Sequence, residues 1–498
     1  MTPTDYRRLD FVVTSLRKNL FYRTDTIVRL IRMPNRCRIT ATTANVILTL
    51  HPVAQPSRLR VRVASRRAFL GPQSRSPQRT LKFLSALFLS FTLTSARAES
   101  NSNWPSWRGP HDNGTAEQGA YVVNLDPTNA LWRVTLSGKG CSTPIVWDKY
   151  IFLTAPTNGL DAILALDWDG KPLWTTSFDK ESPGAHRNGS GSNPSPVTDG
   201  KTIFVRFKSG TVAALNLNGA LLWQTNLSEA FGPENLYWDQ GTSPVLTRDD
   251  VVIARMHGGE SWLAAFDKSS GRMHWKVDRN YQTPAEGDHA YSTPLVLENN
   301  GRQTILVWGA QHLTSYDAAD GKLLWSCGDF NPQAVLNWPS VASPVVAGDI
   351  AVVACGRADR GAPRLYGIRL GGQGDVTTTH HVWKREDTGT FVPTPAEVHG
   401  KIYLLRDRGE LECLDPASGK TLWQGAFPKS SSNYYASPLV AGDLLYAIRE
   451  DGVAFVARVL DKLEVLSENH LKDHVIASPI ALSNRLLIRA EHSLFCFQ

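Results

Sequence analysis

The sequence predicts an all-β fold, an eight-bladed β-propeller of four-stranded antiparallel blades, from three observations. A small residue, then Ser or Thr, then Pro and an apolar strand, occurs eight times along the chain. An apolar residue followed by Trp recurs in phase with that pattern. A strand that would complete the last repeat stands ahead of the first one. Repeats of about 40 to 50 residues indicate one supersecondary unit repeated in space.

The Ser/Thr-Pro pairs set the number of blades. Their prolines are 52, 48, 50, 50, 51, 43 and 41 residues apart. We expect each Ser or Thr to bond the backbone and not to act as a nucleophile, since no His recurs at a fixed spacing from it. The pairs are Thr143-Pro144, Ser195-Pro196, Ser243-Pro244, Thr293-Pro294, Ser343-Pro344, Thr394-Pro395, Ser437-Pro438 and Ser478-Pro479.

Tryptophan marks the end of most repeats. A turn with an acidic or amide residue and Gly precedes it, as Asp317 and Gly321 precede Trp325. Asp can bond backbone amides within such a turn, and Gly supplies the positive φ that closes it. We therefore expect structural docking by seven side chains: Trp132, Trp174, Trp223, Trp275, Trp325, Trp383 and Trp423.

The two ends of the repeat region indicate a closed ring. The chain stops soon after the eighth Ser/Thr-Pro strand, and residues 130–134 would supply its missing outer strand. Closure by this N-terminal strand removes free sheet edges. In the seventh repeat, residues 463–466 are expected to take the place of the Trp strand. A solenoid of β-repeats is the alternative, and the fit of the N-terminal strand argues against it.

The first hundred residues lack the repeat pattern of the propeller. Residues 1–80 form a basic segment without the blade pattern, either a disordered extension or residues upstream of the true start codon. Residues 81–98 combine a basic flank, an apolar run and an Ala-x-Ala site, which predicts a signal peptide cleaved near Ala98. A buried helix is the alternative reading of that run. The mature propeller, residues 99–498, is expected to be periplasmic or extracellular, without a transmembrane anchor.

Charge gives no support for a nucleic-acid partner. The whole chain has a formal net charge of +7 at pH 7, but 18 basic and only 3 acidic residues lie in residues 1–98. Residues 99–498 hold 35 basic and 43 acidic residues, so the mature protein is mildly acidic. Net charge bears on non-specific binding, and this sign does not favour an anionic partner.

The Trp turns resemble the tryptophan-docking repeats of the pyrroloquinoline quinone (PQQ)-like propellers, and the opening residues 103–110 resemble the start of secreted bacterial members. That superfamily includes quinoprotein dehydrogenases and also the propeller lipoprotein of the outer-membrane β-barrel assembly machinery. The resemblance implies the fold and leaves the function open. This chain lacks the adjacent cysteine pair of many dehydrogenases, and no Cys follows its apolar leader as a lipidation site would require.

Polar and aromatic residues are concentrated in the loops that lead into the blades. Such loops would converge around the channel mouth as a funnel rim. The alternative to ligand binding is a structural role, in which the aromatic side chains pack as wedges between adjacent blades. A cluster of Glu286, Asp288 and His289 could form a general base, unless the last two point to opposite faces. The ligand-binding candidates are His186, Asn193, Tyr237, Trp238, Asp239, Asp288, His289, Tyr291, Trp338, Tyr434 and Tyr435.

These patterns favour an exported, non-enzymatic scaffold that binds an envelope protein, a peptide or a glycan at the rim. No cofactor and no metal are expected, and no catalytic residue is assigned. The alternative is a quinoprotein oxidoreductase with PQQ and Ca²⁺, for which rim oxygens of Asn193, Asn235, Asp239, Glu286 and Asp288 are available. A purely structural module in an envelope assembly is a third hypothesis.

Overall fold

The computed structural model describes residues 29–33, 36–40, 103–116 and 119–498. The chain divides into two units, residues 1–95 and 96–498. In the first unit, strand β1 (Arg29–Met33) pairs antiparallel with β2 (Arg36–Thr40). The predicted signal peptide lies outside the described residues, as does most of the basic extension that we expected to be disordered or untranslated.

The second unit is an eight-bladed β-propeller, which confirms the predicted fold. Strands β3 (Thr115–Ala116) and β4 (Trp132–Thr135) precede the first blade. From the channel outwards, blade 1 consists of β5 (Ile145–Trp147), β6 (Tyr150–Thr154), β7 (Leu160–Asp167) and β8 (Pro172–Lys180). Blade 2 consists of β9 (Val197–Thr198), β10 (Thr202–Arg206), β11 (Thr211–Asn216) and β12 (Leu221–Asn226). Blade 3 consists of β13 (Val245–Leu246), β14 (Asp250–Arg255), β15 (Trp262–Asp267) and β16 (Met273–Asp278). Blade 4 consists of β17 (Leu295–Asn299), β18 (Arg302–Gly309), β19 (His312–Asp317) and β20 (Leu323–Cys327).

The remaining blades follow the same order, with one insertion. Blade 5 consists of β21 (Val345–Ala347), β22 (Ile350–Arg357), β23 (Ala362–Arg369) and β25 (His381–Arg385), while β24 (Gly374–Asp375) pairs in parallel with β20 of blade 4. Blade 6 consists of β26 (Ala396–Val398), β27 (Lys401–Leu405), β28 (Glu410–Leu414) and β29 (Thr421–Ala426). Blade 7 consists of β30 (Leu439–Ala441), β31 (Leu444–Ile448), β32 (Val453–Arg458) and β33 (Glu464–His470). Blade 8 contains β34 (Ile480–Leu482), β35 (Arg485–Arg489) and β36 (Ser493–Phe497).

Helical structure in the described part of the chain is limited to short turns between strands. The helices are α1 (Leu227–Phe231) and α2 (Thr377–His380), with 3-10 turns at Pro127–Asn129 and Ala358–Arg360. Neither helix has the length and apolar character that crossing a bilayer would require.

The burial of the strands follows their position in the blade. All six residues of β14 and all eight of β22 are buried, because second strands pack against neighbouring blades on both faces. The outer strands alternate instead, and β8 has partly buried residues at every second position from Trp174. Continuous apolar runs are typical of strands covered on both faces, and alternation is typical of half-exposed ones.

The ring closes where the sequence predicted it. Strand β4 pairs antiparallel with β36, from Thr135 opposite Ser493 to Trp132 opposite Cys496, and so forms the fourth strand of blade 8. In blade 7 the outer strand β33 starts at Glu464, which confirms that a strand without Trp fills that place. The second and third strands of every blade are thereby covered on both sides by hydrogen-bonded neighbours.

A circle of hydrogen bonds joins the innermost strands of all eight blades. In seven of the eight blades, the N–H of the Ser or Thr before proline donates to the hydroxyl of its counterpart in the next blade, for example Thr143 N to Ser195 Oγ at 2.9 Å. Seven such bonds measure 2.8–3.1 Å, and the Thr143 hydroxyl faces the Ser478 carbonyl at 3.5 Å. We call this the hydroxyl girdle: Thr143, Ser195, Ser243, Thr293, Ser343, Thr394, Ser437 and Ser478.

The tryptophans link the outer parts of neighbouring blades. The Trp174 indole N–H donates to the Leu217 carbonyl at 3.1 Å, and its ring lies over Gly219. A Cβ on Gly219 would come within 2.6 Å of that ring, and its φ of 82° also favours glycine. The indoles of Trp132, Trp223, Trp275 and Trp383 donate to the next blade in the same way, at 2.7–3.2 Å.

Two of the seven tryptophans make no such bond within the described residues. Trp325 is 3 % exposed in a cluster with Trp308 and Val376, beside the insertion that carries β24. The indole nitrogen of Trp423 is buried without a hydrogen-bond partner, next to the blade whose outer strand lacks a Trp turn. Both side chains still pack between blades, so the ring contact is retained where the turn has changed.

We predict that Trp325→Ala destabilises the propeller by about 3–5 kcal/mol, because it removes a large buried side chain. The matched control is Leu323→Ala in the same strand, where the side chain is 44 % exposed. That substitution should stay within about 0.5 kcal/mol of wild type. Urea denaturation followed by tryptophan fluorescence and circular dichroism measures both. Equal losses in the two variants would contradict a packing role specific to Trp325.

Candidate binding face

The loops that lead into the blades open on one face of the ring, which we call the loop face. Each inner strand starts at the hydroxyl girdle, so the loop before it lies on that side, together with the hairpin between the second and third strands. The predicted ligand-binding residues all belong to these loops: His186, Asn193, Tyr237, Trp238, Asp239, Asp288, His289, Tyr291, Trp338, Tyr434 and Tyr435.

The N-terminal segment of the propeller, residues 103–116, crosses the other end of the channel. Trp104 exchanges two backbone hydrogen bonds of 2.8 Å with Val146 of blade 1. On the far side of the channel, Arg108 donates to the carbonyls of Pro395 at 2.9 Å and Pro438 at 3.1 Å, in blades 6 and 7. The segment therefore fills this end of the channel and ties opposite blades together.

A small cavity remains between this segment and the hydroxyl girdle. Its volume is about 20 Å³, room for about one water molecule. Trp107 and Arg108 form its floor, and the girdle residues of blades 3 to 6 form its walls. Burial lowers the pKa of Arg108 to about 9, although Asp112 acts in the opposite direction. This cavity is too small for a cofactor of PQQ size.

Asp239 braces two loops of this face. Its carboxylate accepts hydrogen bonds from the backbone N–H groups of Ala185 at 2.8 Å and His186 at 3.0 Å. Lys208 donates to it as well, at 2.7 Å. With a side chain only 1 % exposed, Asp239 is committed to holding the loop into blade 2 against the loop into blade 3. It is a positioning residue in this geometry.

The aromatic pair next to it is held by the following loop. The backbone N–H of Trp238 donates to the Tyr291 hydroxyl at 2.9 Å, and that of Tyr237 donates to His289 Nδ1 at 3.4 Å. Tyr291 is buried, and burial raises the pKa of its hydroxyl. Tyr237 itself is 63 % exposed. Its side chain thus projects into solvent from a backbone held by the N–H groups of Tyr237 and Trp238, next to the anchored side chain of Asp239.

His186 and Asn193 belong to the loop into blade 2. The His186 ring lies against Trp238 in a T-shaped contact with 4.4 Å between centroids. Burial, followed by the Arg187 charge, lowers the pKa of His186, so the imidazole is neutral at pH 7. The Asn193 side chain accepts bonds from the Ser190 N–H and hydroxyl at 2.8 and 2.9 Å. His186 therefore extends the aromatic cluster, while Asn193 shapes its own loop.

The Asp288–His289 pair does not have the geometry of a general base. His289 Nε2 and Asp288 Oδ1 are 3.9 Å apart, beyond hydrogen-bond reach, and the other imidazole nitrogen accepts the Tyr237 N–H. His289 is 9 % exposed. The imidazole supports the backbone of the exposed tyrosine.

The remaining aromatics are divided between core and surface. Trp338 is 3 % exposed and Tyr434 is 1 % exposed, each within an apolar cluster between blades. They occupy the place that the wedge interpretation assigns to them. Tyr435 is half-buried, and its hydroxyl accepts a 3.3 Å hydrogen bond from the Asn433 amide. It remains at the surface of the loop into blade 7.

Sequence reasoning missed two apolar residues of the loop face. Val335 and Leu336 are 38 % and 59 % exposed on the loop into blade 5. Asn331 exchanges two hydrogen bonds with Val335, of 2.9 and 3.0 Å, which fix the loop. The Asn337 N–H donates to the Ala285 carbonyl of the neighbouring loop at 2.9 Å. The available signal was an apolar pair between two asparagines. We call Tyr237, Trp238, Val335 and Leu336 the apolar rim.

Two of the oxygen donors that a calcium-bound quinone would need, those of Asp239 and Asn193, are already engaged within the loops. Within residues 103–116 and 119–498, no three His, Cys, Asp or Glu side chains are placed to share one metal ion. Of the oxygens considered from sequence, Asp239 is saturated by two amides and a lysine, and Asn193 by Ser190. Calcium requires six to eight oxygen ligands around one point. We derive no chemical step through this cofactor.

Comparison with known families agrees with the geometry. The family model described as "Outer membrane protein assembly factor BamB", of PQQ-like repeats, matches residues 114–285, 237–374 and 373–465. These matches cover more than half of the chain. The chain belongs to this BamB family. The resemblance to PQQ-like propellers that the Trp turns indicated is thereby confirmed.

Curated relatives include BamB proteins and a dehydrogenase. The BamB of Yersinia pestis is 24 % identical over 69 % of this chain and 81 % of its own length. That of Moranella endobia (strain PCIT) is 26 % identical over 47 % of this chain, and the chain spans about half of its length, 54 %. The quinone alcohol dehydrogenase subunit of Komagataeibacter europaeus is 25 % identical over 50 % of this chain but 32 % of its own length.

Solved structures of both kinds share the fold. BamB from Moraxella catarrhalis aligns with a TM-score of 0.54 and 15 % identity, over 74 % of this chain and 99 % of its own. The quinohemoprotein alcohol dehydrogenase of Comamonas testosteroni aligns with a TM-score of 0.58 and 12 % identity, over 79 % of this chain and 80 % of its own. At such identities the likeness concerns the propeller alone.

We predict that Tyr434→Ala lowers the free energy of unfolding by about 3–4 kcal/mol, since it empties a buried site between blades. Tyr237→Ala should change it by less than about 0.5 kcal/mol, because that side chain is in solvent. The two tyrosines are thus a matched pair for thermal and urea unfolding. A large loss on removing Tyr237 would show that it is a wedge as well.

Proposed function

We propose that this member of the BamB family is an exported, non-enzymatic scaffold that binds a protein partner through the apolar rim. The observation that carries the proposal is the presentation of Tyr237. It is 63 % exposed, yet its backbone N–H and that of Trp238 donate to the loop into blade 4, and the Asp239 carboxylate accepts from the loop into blade 2. A large side chain held outward by a rigid backbone loses little conformational entropy on binding.

The chemistry of the rim favours a protein or peptide over a glycan. Val335 and Leu336 add exposed aliphatic surface, and their loop and that of Tyr237 both contact the loop into blade 4. Aliphatic side chains offer a sugar neither hydrogen bonds nor stacking faces. Aromatic and apolar anchors surrounded by polar loops are typical of the centre of protein interfaces.

The family and the N-terminal sequence support the proposed cellular setting. Members described as outer membrane protein assembly factors act in the cell envelope, and residues 81–98 have the composition of a signal peptide. We therefore place the mature chain in the periplasm or at the cell exterior, as an interaction module in outer-membrane protein assembly. The partner is an envelope protein that contacts the loop face.

A host strain lacking this chain tests the proposal. We predict that the double variant Tyr237→Ala/Leu336→Ala fails to restore folded outer-membrane proteins, measured by heat-modifiable migration on gels. Loss of two interface anchors costs about 3 kcal/mol, roughly a hundredfold in affinity. The matched control is Leu460→Ala, an exposed aliphatic residue (56 %) in a blade turn away from the loop face. The control should restore them fully, and full restoration by the double variant would refute the proposal.

Titration with PQQ and Ca²⁺ separates the scaffold from the oxidoreductase hypothesis. We predict no saturable change in the quinone absorbance or in calorimetric heat with residues 99–498 at up to about 50 µM PQQ, a range that detects micromolar dissociation constants. The reason is that no three acidic, His or Cys side chains of the described propeller are placed around one ion. Saturable binding that requires Ca²⁺ would favour the oxidoreductase and justify a screen of alcohols and sugars.

A further inference from the structure

Asp161 is a buried carboxyl group at an irregular point of blade 1. It stands near the start of β7, where the pairing with β8 shifts between Leu160 and Ala162 as a β-bulge. Its exposed fraction is 0 %, and neither carboxylate oxygen has a hydrogen-bond partner within the described residues. Bulges re-aim side chains, and this one places an acid inside the seam between blades 1 and 2.

The groups that face Asp161 are acidic or already committed. Asp179, near the end of β8, and Glu181, just after it, are the charged neighbours of Asp161 in its own blade. From blade 2, Ser209 faces it, but the Ser209 hydroxyl donates to Thr211 at 3.1 Å, and Thr211 donates to Asp179 at 3.0 Å. No carboxylate–cation pair forms at this point.

The cation nearest in sequence points elsewhere. Lys208 adjoins Ser209, but its ammonium group donates to the Pro183 carbonyl at 2.8 Å and to Asp239 at 2.7 Å. A metal does not take its place, since no three acidic, His or Cys side chains of the described propeller are placed around one ion. The species that can neutralise Asp161 in this geometry is a proton.

Burial and the two neighbouring carboxylates all raise the pKa of Asp161. Burial, the larger cause, together with Glu181 and Asp179, raises the pKa of Asp161 to about 7, although Ser209 lowers it. Burial also raises the pKa of Glu181. The Asp161 carboxyl group is therefore protonated in mild acid and ionised above neutral pH. Ionisation adds a third negative charge beside the other two.

The loop above this cluster carries part of the loop face. The Glu181 N–H donates to the Gly159 carbonyl at 3.0 Å, beside the start of β7. Gly191 packs against the same residue, since a Cβ there would lie 2.5 Å from the Ser182 carbonyl and 3.1 Å from Glu181. Between these contacts, Asn188 reaches across the channel mouth to Glu450 of blade 7 at 3.2 Å.

We propose that Asp161 is a proton-binding site that links the order of loop 181–191 to pH. With the proton bound, the acid is neutral and the loop stays packed on blade 1. Without it, repulsion among Asp161, Asp179 and Glu181 opens the contact between Glu181 and Gly159. The contact of Asn188 with blade 7 is released with it.

The sign of the pH dependence follows from the raised pKa. The folded protein keeps the Asp161 proton up to about pH 7, whereas an unfolded chain releases it near 3.8. The folded state binds more protons between these values, so the stabilisation is complete below the unfolded pKa and is lost as pH rises through 7. Stability of the seam is thus higher in mild acid than above neutral pH.

Hydrogen exchange of loop 181–191 at pH 5.5 and pH 8.0, corrected for intrinsic rates, tests the proposal. We expect wild type to lose about thirtyfold protection at pH 8, because the closed loop holds about one proton more than the open loop over the 1.5 pH units from 5.5 to the pKa of about 7. Asp161→Asn, which imitates the neutral acid, should keep the pH 5.5 protection at both values. Equal protection of wild type at both values, or a pH dependence that persists in the variant, would overturn the proposal.

Four further measurements test this interpretation. Asp179→Asn removes one neighbouring charge and should shift the transition to lower pH. Asp407→Asn is the matched control, because Asp407 is another buried acid, with a pKa raised to about 6 by burial, in a distant blade. It should leave loop 181–191 unchanged.

If Asp161→Asn does not fold, infrared titration of wild type must still show a protonated carboxyl band that disappears near pH 7. Restored protection on adding Ca²⁺ at pH 8 would instead identify a metal site and refute the proton.

Discussion

The hydroxyl girdle is the constraint on which the rest of this propeller depends. Eight inner strands meet around a narrow axis, where their backbone amides would face one another without acceptors. Proline removes the next N–H and holds the preceding residue extended, and the short Ser or Thr hydroxyl accepts the one amide that remains. Each bond of 2.8–3.1 Å joins adjacent blades. The spacing of the blades, and with it the position of every loop, follows from this circle.

The tryptophans are the peripheral counterpart of the girdle. Each docked indole covers a glycine of the following blade. The turn therefore needs a residue without a side chain wherever the preceding blade supplies a tryptophan. Both devices repeat in the sequence because both depend on local geometry. This is why the blade count, the closing strand β4 and the strand β33 without Trp could be predicted from residue spacing alone.

The site could be predicted only in part, because loop side chains follow no period. Sequence placed Trp338 and Tyr434 among loop aromatics, but burial between blades depends on contacts with other loops. Val335 and Leu336 are not among the predicted residues, and their exposure follows from the turn that Asn331 fixes. Asp161 lies in an apolar strand, and its setting results from a bulge and from residues of another blade.

The closing of blade 8 has a kinetic consequence. Thr135 pairs with Ser493, so the first and last strands of the ring belong to one sheet. That pairing closes a loop of nearly the whole propeller, and its entropic cost must be met before the contact stabilises anything. During synthesis the first strand has no partner until the last residues emerge. A chain that cannot pair β4 before β36 has been synthesised completes its ring late, so most of the propeller is made before its two ends can be joined.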